Sequence, residues 1–300
     1  MDKTVFFGNG LNRLLKSNIS WNDLLAKIKG SNNFKNDDLP NTMIYERIVL
    51  QKLSKYDDIL NDEFDVKMEI ADLLDGIDGD QIYQELYKSN IQHYITTNYD
   101  YGFLKSIRIM PEVNEIHEYS TEDVYSIRRR KRISNIQEAE KNFWQIHGEI
   151  NKPATIMLGL DQYCGSIGKL NDYVKGAYKY QLEGNTVNEP SMEEKLRQNE
   201  FTKSSWIELF FASDMHIVGF SFDFSESDLW WLLIRRARMK RTLRTSGFVK
   251  NSIHFYCDTI EDSKKALLES LLVKVHVLPL GKGDDRYTEY YRSIIKSIQA

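Results

Sequence analysis

Two cysteines, Cys164 and Cys257, are all that 300 residues contain, and they lie far apart, outside any Cys-x-x-Cys pair. A four-cysteine structural zinc site is therefore excluded and no disulfide framework is expected, which suits a reducing compartment. Long apolar runs are missing as well, and none approaches the roughly 20 residues that span a bilayer. No sign of charge dominates: a formal net charge of −4 gives no general case for nucleic-acid or membrane binding. Internal repeats and low-complexity tracts are absent. Met1-Asp-Lys-Thr-Val-Phe-Phe7 reads directly as a strand, so no secretory signal is expected. With 41% apolar and 28% charged residues, the composition is that of a globular, slightly polar protein, and a cytoplasmic one is expected.

What is present is a series of strands whose carboxyl ends carry small or polar residues. Thr4–Phe7 runs into Gly8-Asn9-Gly10, and Leu11-Asn-Arg-Leu-Leu15 follows with leucines at helical spacing, giving strand, glycine turn, helix. Two glycines let a backbone approach a phosphate or ribose. The third glycine of a dinucleotide fingerprint is missing, with Arg13 in its place, and no acid-ended second strand follows about 20 residues on. An ordinary tight turn is the plainer reading. Ile91–Asp100, Ile-Gln-His-Tyr-Ile-Thr-Thr-Asn-Tyr-Asp, has the composition of a buried strand and ends in Thr97, Asn98, Tyr99 and Asp100. In an open parallel sheet, ligands lie beyond such ends. An amide there fixes a hydroxyl or water, and a carboxylate stabilises developing positive charge; an Asx-type turn is the structural alternative. Phe143-Trp-Gln-Ile-His147-Gly148 ends in the same manner, and Met215–Phe222 carries Gly219 and Ser221 at its end.

Between Asn41 and Asn90, Ile44, Ile48, Ile70, Leu74, Ile82 and Leu86 mark amphipathic stripes, read as a small helical module inserted between strands. Val113–Tyr119 and Ala154–Leu160 read as strands, and Lys169–Glu200 as a polar helical stretch. Arg128-Arg-Arg-Lys-Arg132 reads as a solvated loop, with phosphate or partner binding as the alternative. Helices at Ser205–Ala212, Leu229–Leu243, Glu261–Leu272 and Arg286–Ile298 alternate with strands at Ser252–Tyr256 and Val273–Leu278. The cations from Arg235 to Arg241 either complement a helix carboxyl end or contact a partner. This alternation predicts an α/β fold, a Rossmann-like, doubly wound, mostly parallel sheet. One domain is expected, with its core at about 1–30, 91–160 and 205–300 and helical insertions at about 31–90 and 161–204.

Taken in order, Gly8-Asn-Gly10, Thr97-Asn-Tyr-Asp100, His147-Gly148 and Gly219-Phe-Ser221 resemble the sirtuin superfamily, specifically the sirtuin-like domains of bacterial antiphage defence proteins. The similarity runs from Val5 to about Tyr256. It implies NAD as substrate, cradled by Gly8, Asn9 and Gly10, with Thr97, Asn98, Tyr99 and Asp100 at the nicotinamide and its ribose. It further implies that His147 is the catalytic histidine acting on the ribose hydroxyls and that Gly219 and Ser221 hold a ribose or phosphate.

The departures are informative. The Gly-Ala-Gly-x-Ser motif of the deacetylases reads Gly-Asn-Gly-x-Asn here, Thr97 replaces a glutamine, Tyr99 replaces an aliphatic residue, and the zinc module is absent. The resemblance therefore implies an NAD hydrolase, needing no zinc, that cleaves the nicotinamide–ribose bond and depletes cellular NAD in abortive infection. An oxocarbenium-like centre would develop, with Asp100 stabilising it, Asn98 ordering water or ribose, and His147 as base or hydrogen-bond partner. Relatives imply a homo-oligomer and a separate partner or sensor protein such as a HerA-like ATPase. A non-catalytic NAD or nucleotide sensor, an ADP-ribosyltransferase or deacylase, and a structural subunit with a vestigial pocket stay open as alternatives.

Overall fold

Short runs of β-branched and aromatic residues form one central sheet, and apolar stripes at helical spacing form the layers on its faces. The computed structural model describes residues 2–15, 17–30, 34–36, 38–52, 59–119, 122, 124–135, 140–242 and 244–299. Strand β1 (Lys3–Phe7) leads through a 3-10 turn at Leu11–Leu14 to helices α1 (Trp21–Lys29), α2 (Asn41–Lys52), α3 (Ile59–Asp75) and α4 (Gln81–Tyr87). Then come β2 (His93–Thr96), α5 (Gly102–Arg108), β3 (Val113–Tyr119), β4 (Arg130–Asn135) and β5 (Lys141–Gln145). Helix α6 (Leu160–Lys175), a hairpin of β6 (Lys179–Leu182) and β7 (Asn185–Asn188), α7 (Met192–Gln198) and α8 (Trp206–Ala212) follow. The last third holds β8 (Asp214–Val218), α9 (Ser227–Arg241), β9 (Ile253–Cys257), α10 (Asp262–Ser270), β10 (Val273–Val277) and α11 (Arg286–Gln299).

Among the described residues, eight strands pair in the order β10-β9-β8-β1-β2-β5-β4-β3. The six from β10 to β5 are parallel, and β4 and β3 add an antiparallel edge. After β1 the chain adds β2, passes to the far edge at β3 and comes back through β4 to β5 beside β2, then crosses to the opposite side of β1 as β8. The sheet's topological switch point is therefore between β1 and β8, where ligands of open α/β sheets bind. Phe7 is in register with Thr96 on one side and Val218 on the other, so Gly8, Thr97 and Gly219 emerge at one edge.

Alternation along the strands feeds two layers. Phe6, Ile95 and Ile217 join one buried cluster with Trp206, Phe210, Leu232 and Leu233 of α8 and α9. Val5, Phe7 and Tyr94 join another with Tyr83, Phe103 and Ile294 of α4, α5 and α11. A third cluster is the helical module itself, with Leu24, Ile28, Ile48 and Ile70, and it reaches Tyr99, Ile156 and Leu158 beyond the strand ends. The module thus sits over the carboxyl edge, and α1, expected with the sheet core, belongs to it.

Several expectations are corrected. The stretch read as helical to Glu200 stops at Lys175, where Gly176 takes the left-handed conformation at φ 78°. A hairpin follows, turning through Glu183 (φ 50°) and Gly184 (φ 81°), the positive pair of a tight two-residue hairpin turn. Ala154–Leu160 is not a strand: Pro153–Thr155 forms a 3-10 turn, and the Met157 N–H is bonded to the His147 carbonyl (2.9 Å) rather than to a strand. The strand expected to reach Phe222 ends at Val218. Leu243, the expected end of the α9 helix, lies outside the described residues.

The five-cation run is no solvated loop. Arg128, Arg129 and Arg130 are buried and β4 starts at Arg130. Arg129 and Lys131 both pair with the buried Glu149 (3.2 and 2.6 Å), Arg130 bonds Asn142 Oδ1 (3.0 Å), and the Arg128 guanidinium lies over the Tyr180 ring. In the α9 run, Arg236 is buried against Asn251, whereas Arg238 and Arg241 are exposed.

Candidate functional site at the switch-point edge

The loops leaving β1 and β8 pack directly on each other. Gly8 N donates to Val218 O (3.1 Å) and Gly10 N to Gly219 O (2.7 Å). A Cβ on Gly10 would lie 2.6 Å from Gly219 Cα, and Gly219 itself has φ +60°, so glycine is required by backbone contact as well as by conformation. Over this contact opens a cleft of about 870 Å³. Its walls include Asn9, Gly10 and Thr97, then Ser20, Trp21 and Thr42 of the module, and Ser221, Phe224, Asp258 and Tyr287 on the far side. The cations on its wall are Arg13 and Lys264. Of the residues expected to hold the ligand, Asn9, Gly10, Thr97, Gly219 and Ser221 line this cleft, and Gly8, Asn98, Tyr99 and Asp100 do not. Asn9 also ties the module down through Nδ2 to Ile19 O (3.0 Å).

Beyond β2, Asn98 lines a small cavity with Asn9, Ser20, Trp21, Tyr99 and Asp100. Its Nδ2 is buried and has no hydrogen-bond partner among the described residues. Tyr99 donates its hydroxyl to Met157 O (2.5 Å) and sets its ring against Trp21. The Asp100 carboxylate is held by the protein at both oxygens: Gly102 N–H donates to Oδ1 (2.8 Å) and Asn12 Nδ2 to Oδ2 (2.9 Å). Burial raises its pKa above the usual carboxylate range, against the pull of those two bonds. Gln145, missed in the sequence, points Nε2 at the carbonyls of Asn98, Tyr99 and Asp100 (3.4, 3.1 and 2.9 Å). It fixes this loop together with Thr96 Oγ1, which accepts from the Asn98 N–H (3.0 Å), and its place two residues before His147 on β5 was the available signal.

His147 follows β5 and is 1% exposed. It does not line the cleft; it stands behind the wall formed by Tyr163 and Glu226, with its ring edge-on to Tyr163. Nε2 lies 3.1 Å from Asp228 Oδ2 and Nδ1 lies 3.4 Å from Glu226 Oε2. Ser166 Oγ donates to Asp228 Oδ2 (3.0 Å), the Leu229 N–H to Oδ1 (2.8 Å), and Tyr163 OH to Glu226 Oε2 (3.0 Å). Burial lowers the affinity of His147 for a proton, but the charge and hydrogen bond of Asp228 and the charge of Glu226 outweigh it and raise the pKa above the ordinary value. Burial pushes Glu226 up to about 7, with His147 and the Tyr163 hydrogen bond opposing and Asp228 adding to the rise. The three ligand atoms lie within 4.8 Å of one another, a spacing that also suits a cation. The hydrogen-bond-length contact of 3.1 Å and the donors Ser166 and Tyr163 match a hydrogen-bonded triad. Neither Glu226 nor Asp228 was singled out in the sequence, where Asp223–Asp228 read only as a loop and helix start.

Residues 92–223 match the family model of the SIR2-like domain. This segment, less than half of the chain, is similar to the SIR2-like domain. The matched segment starts beside β2 and ends in the loop after β8, taking in Asn98, Asp100, His147, Gly219 and Ser221 but not the Gly8–Gly10 turn or Glu226. SIR2-like domains bind NAD as a substrate, so an NAD-related activity in general is supported. No curated protein matches the chain at a significant level. The residues present suit a dinucleotide: a cleft floor without side chains at Gly10 and Gly219, cations at Arg13 and Lys264, and, in the small cavity beyond β2, a buried amide donor at Asn98 with no partner among the described residues. Arg13, which displaces the third glycine of a dinucleotide fingerprint, brings a cation to the cleft instead.

Proposed function

We propose that the chain is an NAD hydrolase that cleaves the nicotinamide–ribose bond to give nicotinamide and ADP-ribose. The observation that carries this reading is the unpaired Nδ2 of Asn98 at the switch-point edge. A buried donor without a partner costs about 1–3 kcal/mol, and a ribose hydroxyl or a water would recover that cost. Departure of nicotinamide leaves a cationic ribose carbon that water attacks, as in glycoside cleavage. In this chain Asn98 holds the ribose or the water, Gln145 keeps the Asn98–Asp100 backbone in place, and Arg13 and Lys264 face the diphosphate. Asp100 anchors the loop to Asn12 and α5, and His147 acts from within the wall.

The physiological reading is depletion of NAD in antiphage defence, in the cytoplasm, restrained by homo-oligomeric assembly or by a separate partner such as a HerA-like ATPase. Arg238 and Arg241 are the exposed cations of α9 for such a contact. Charge reversal at both should abolish the complex and leave the fold intact. The direct test of the reaction is chromatography of NAD incubated with the purified chain. Nicotinamide and free ADP-ribose in equal amounts are expected. ADP-ribose bound to protein or to an acyl group would instead establish a transferase or deacylase. One observation favours a non-catalytic NAD sensor, namely that His147 is walled off from the cleft. Calorimetry showing NAD binding without nicotinamide release, alone and with its native partner, would establish that reading.

A further inference from the structure

Resting on the hydrolase reading, we propose that Glu226 is the group that takes the proton of the attacking water, with His147 and Asp228 as positioning residues behind it. Of the three, Glu226 alone lines the cleft. Its Oε2 is occupied by Tyr163 OH and faces His147 Nδ1, whereas Oε1 has no hydrogen-bond partner among the described residues. Asp228 is fully buried and fixed by Ser166 and the Leu229 N–H, so it sets the imidazole, and the imidazole sets Glu226. A carboxylate–imidazole–carboxylate chain results in which the outer carboxylate, not the imidazole, meets the substrate. That reverses the order of the Ser-His-Asp arrangement, where histidine faces the reacting group.

The step balances without a further reactant. One O–H bond of water breaks and its proton passes to Glu226 Oε1. The water oxygen bonds the ribose carbon, and the bond from that carbon to nicotinamide breaks with its electron pair returning to the ring nitrogen. Nicotinamide leaves neutral, and the proton on Glu226 then passes to solvent, so one proton is released per turnover. The groups facing Glu226 are His147 after β5, Tyr163 of α6, Tyr99 after β2, and Asp223 and Asp228 on its own stretch. Burial, the largest of these influences, brings it to about 7, where an acid–base group works best at neutral pH.

The test uses the full chain and carba-NAD, a non-hydrolysable analogue that keeps the cationic nicotinamide. Calorimetry at pH 7 in buffers of different ionisation enthalpy reads protons released on binding. About half a proton is expected from the wild type, as the cationic ring drives Glu226 to its charged form, and none from Glu226→Gln, which still binds. With NAD, the acidic limb of nicotinamide release disappears in Glu226→Gln, and kcat falls about 100-fold with KM little changed. Tyr163→Phe, which removes a bond that favours the charged carboxylate, moves that limb to higher pH without erasing it. Asp228→Asn lowers kcat and leaves KM, as expected of a residue acting through His147. The same proton release and the same acidic limb in Glu226→Gln overturn the proposal while leaving the hydrolase standing. Loss of turnover on chelation, restored by a divalent metal ion, also overturns it. Failure of carba-NAD to bind the wild type overturns the NAD reading itself.

Discussion

Asn98 and Asp100 stand two residues apart, yet their side chains face opposite duties. The Asn98 amide donor has no partner among the described residues, while the Asp100 carboxylate is bonded at both oxygens. Asn98→Ala is therefore expected to leave the thermal midpoint unchanged or slightly raised, because no structural bond is lost, and to lower NAD cleavage by about 100-fold or more. Asp100→Ala removes the acceptor of the Gly102 N–H and one of the two acceptors of Asn12 Nδ2, which keeps Asn9 Oδ1, and is expected to cost about 1–3 kcal/mol in a denaturation titration. Equal stability losses in the two variants would contradict this division. At this scale the sequence was half legible. A polar residue at a strand end marked Asn98 as a candidate, but nothing in Thr-Asn-Tyr-Asp says which side chain turns back into the protein. Glu226 and Asp228 meet His147 only through tertiary packing, across more than 75 residues of chain, and no local pattern announces that.

Among the elements, β1, β2, β5 and β8 were legible because each is a largely apolar run that gives way within two residues to glycine, asparagine or histidine. The β6–β7 hairpin was not, since Lys179–Leu182 and Asn185–Asn188 are largely exposed and show no buried alternation. The arginine run was misread for an electrostatic reason: its partner Glu149 lies on the far side of β5, and only folding brings the charges together. Glu149→Ala would remove the buried carboxylate that Arg129, Lys131 and the Tyr101 hydroxyl share, at an expected cost of about 1–3 kcal/mol by chemical denaturation. A surface loop would lose almost nothing. The glycine turn, read as a tight turn or a phosphate cradle, is a contact between two strand-end loops. Gly10→Ala drives a methyl into the Gly219 backbone, and a loss of about 1–3 kcal/mol is expected together with weaker NAD binding by calorimetry.

For the molecule as a whole, buried titratable groups tilt stability in opposite directions with pH. His93 is held neutral by burial, its pKa lowered to about 4 against the attraction of Asp2. Below about 6.5 the unfolded chain takes up a proton that the folded one refuses, so stability falls as pH drops from about 6.5 to about 4. Glu226 acts with the other sign. Its folded pKa of about 7 exceeds the unfolded 4.5, so its contribution is fully present below 4.5 and is lost as pH rises through 7. Glu226→Gln should therefore be more stable than the wild type at pH 8, by at most about 3 kcal/mol, with the advantage vanishing near pH 4. Unfolding titrations at both pH values read this directly, and a variant less stable at pH 8 would show that Glu226 is held as a favourable ion pair instead. A carboxylate buried at the cleft wall, where its charge is disfavoured, is what a site that trades stability for chemistry looks like.

The central claim is that Asn98 presents an unpaired amide to NAD in a site that cleaves it. The measurement that meets it most directly is nicotinamide and ADP-ribose release from NAD by the purified chain and its native complex, with Asn98→Ala assayed alongside and both proteins shown to be folded. Release by the wild type that falls about 100-fold in the variant is the predicted result. Equal release by both would remove Asn98 from the chemistry, and no release from either the chain or its complex would contradict the hydrolase.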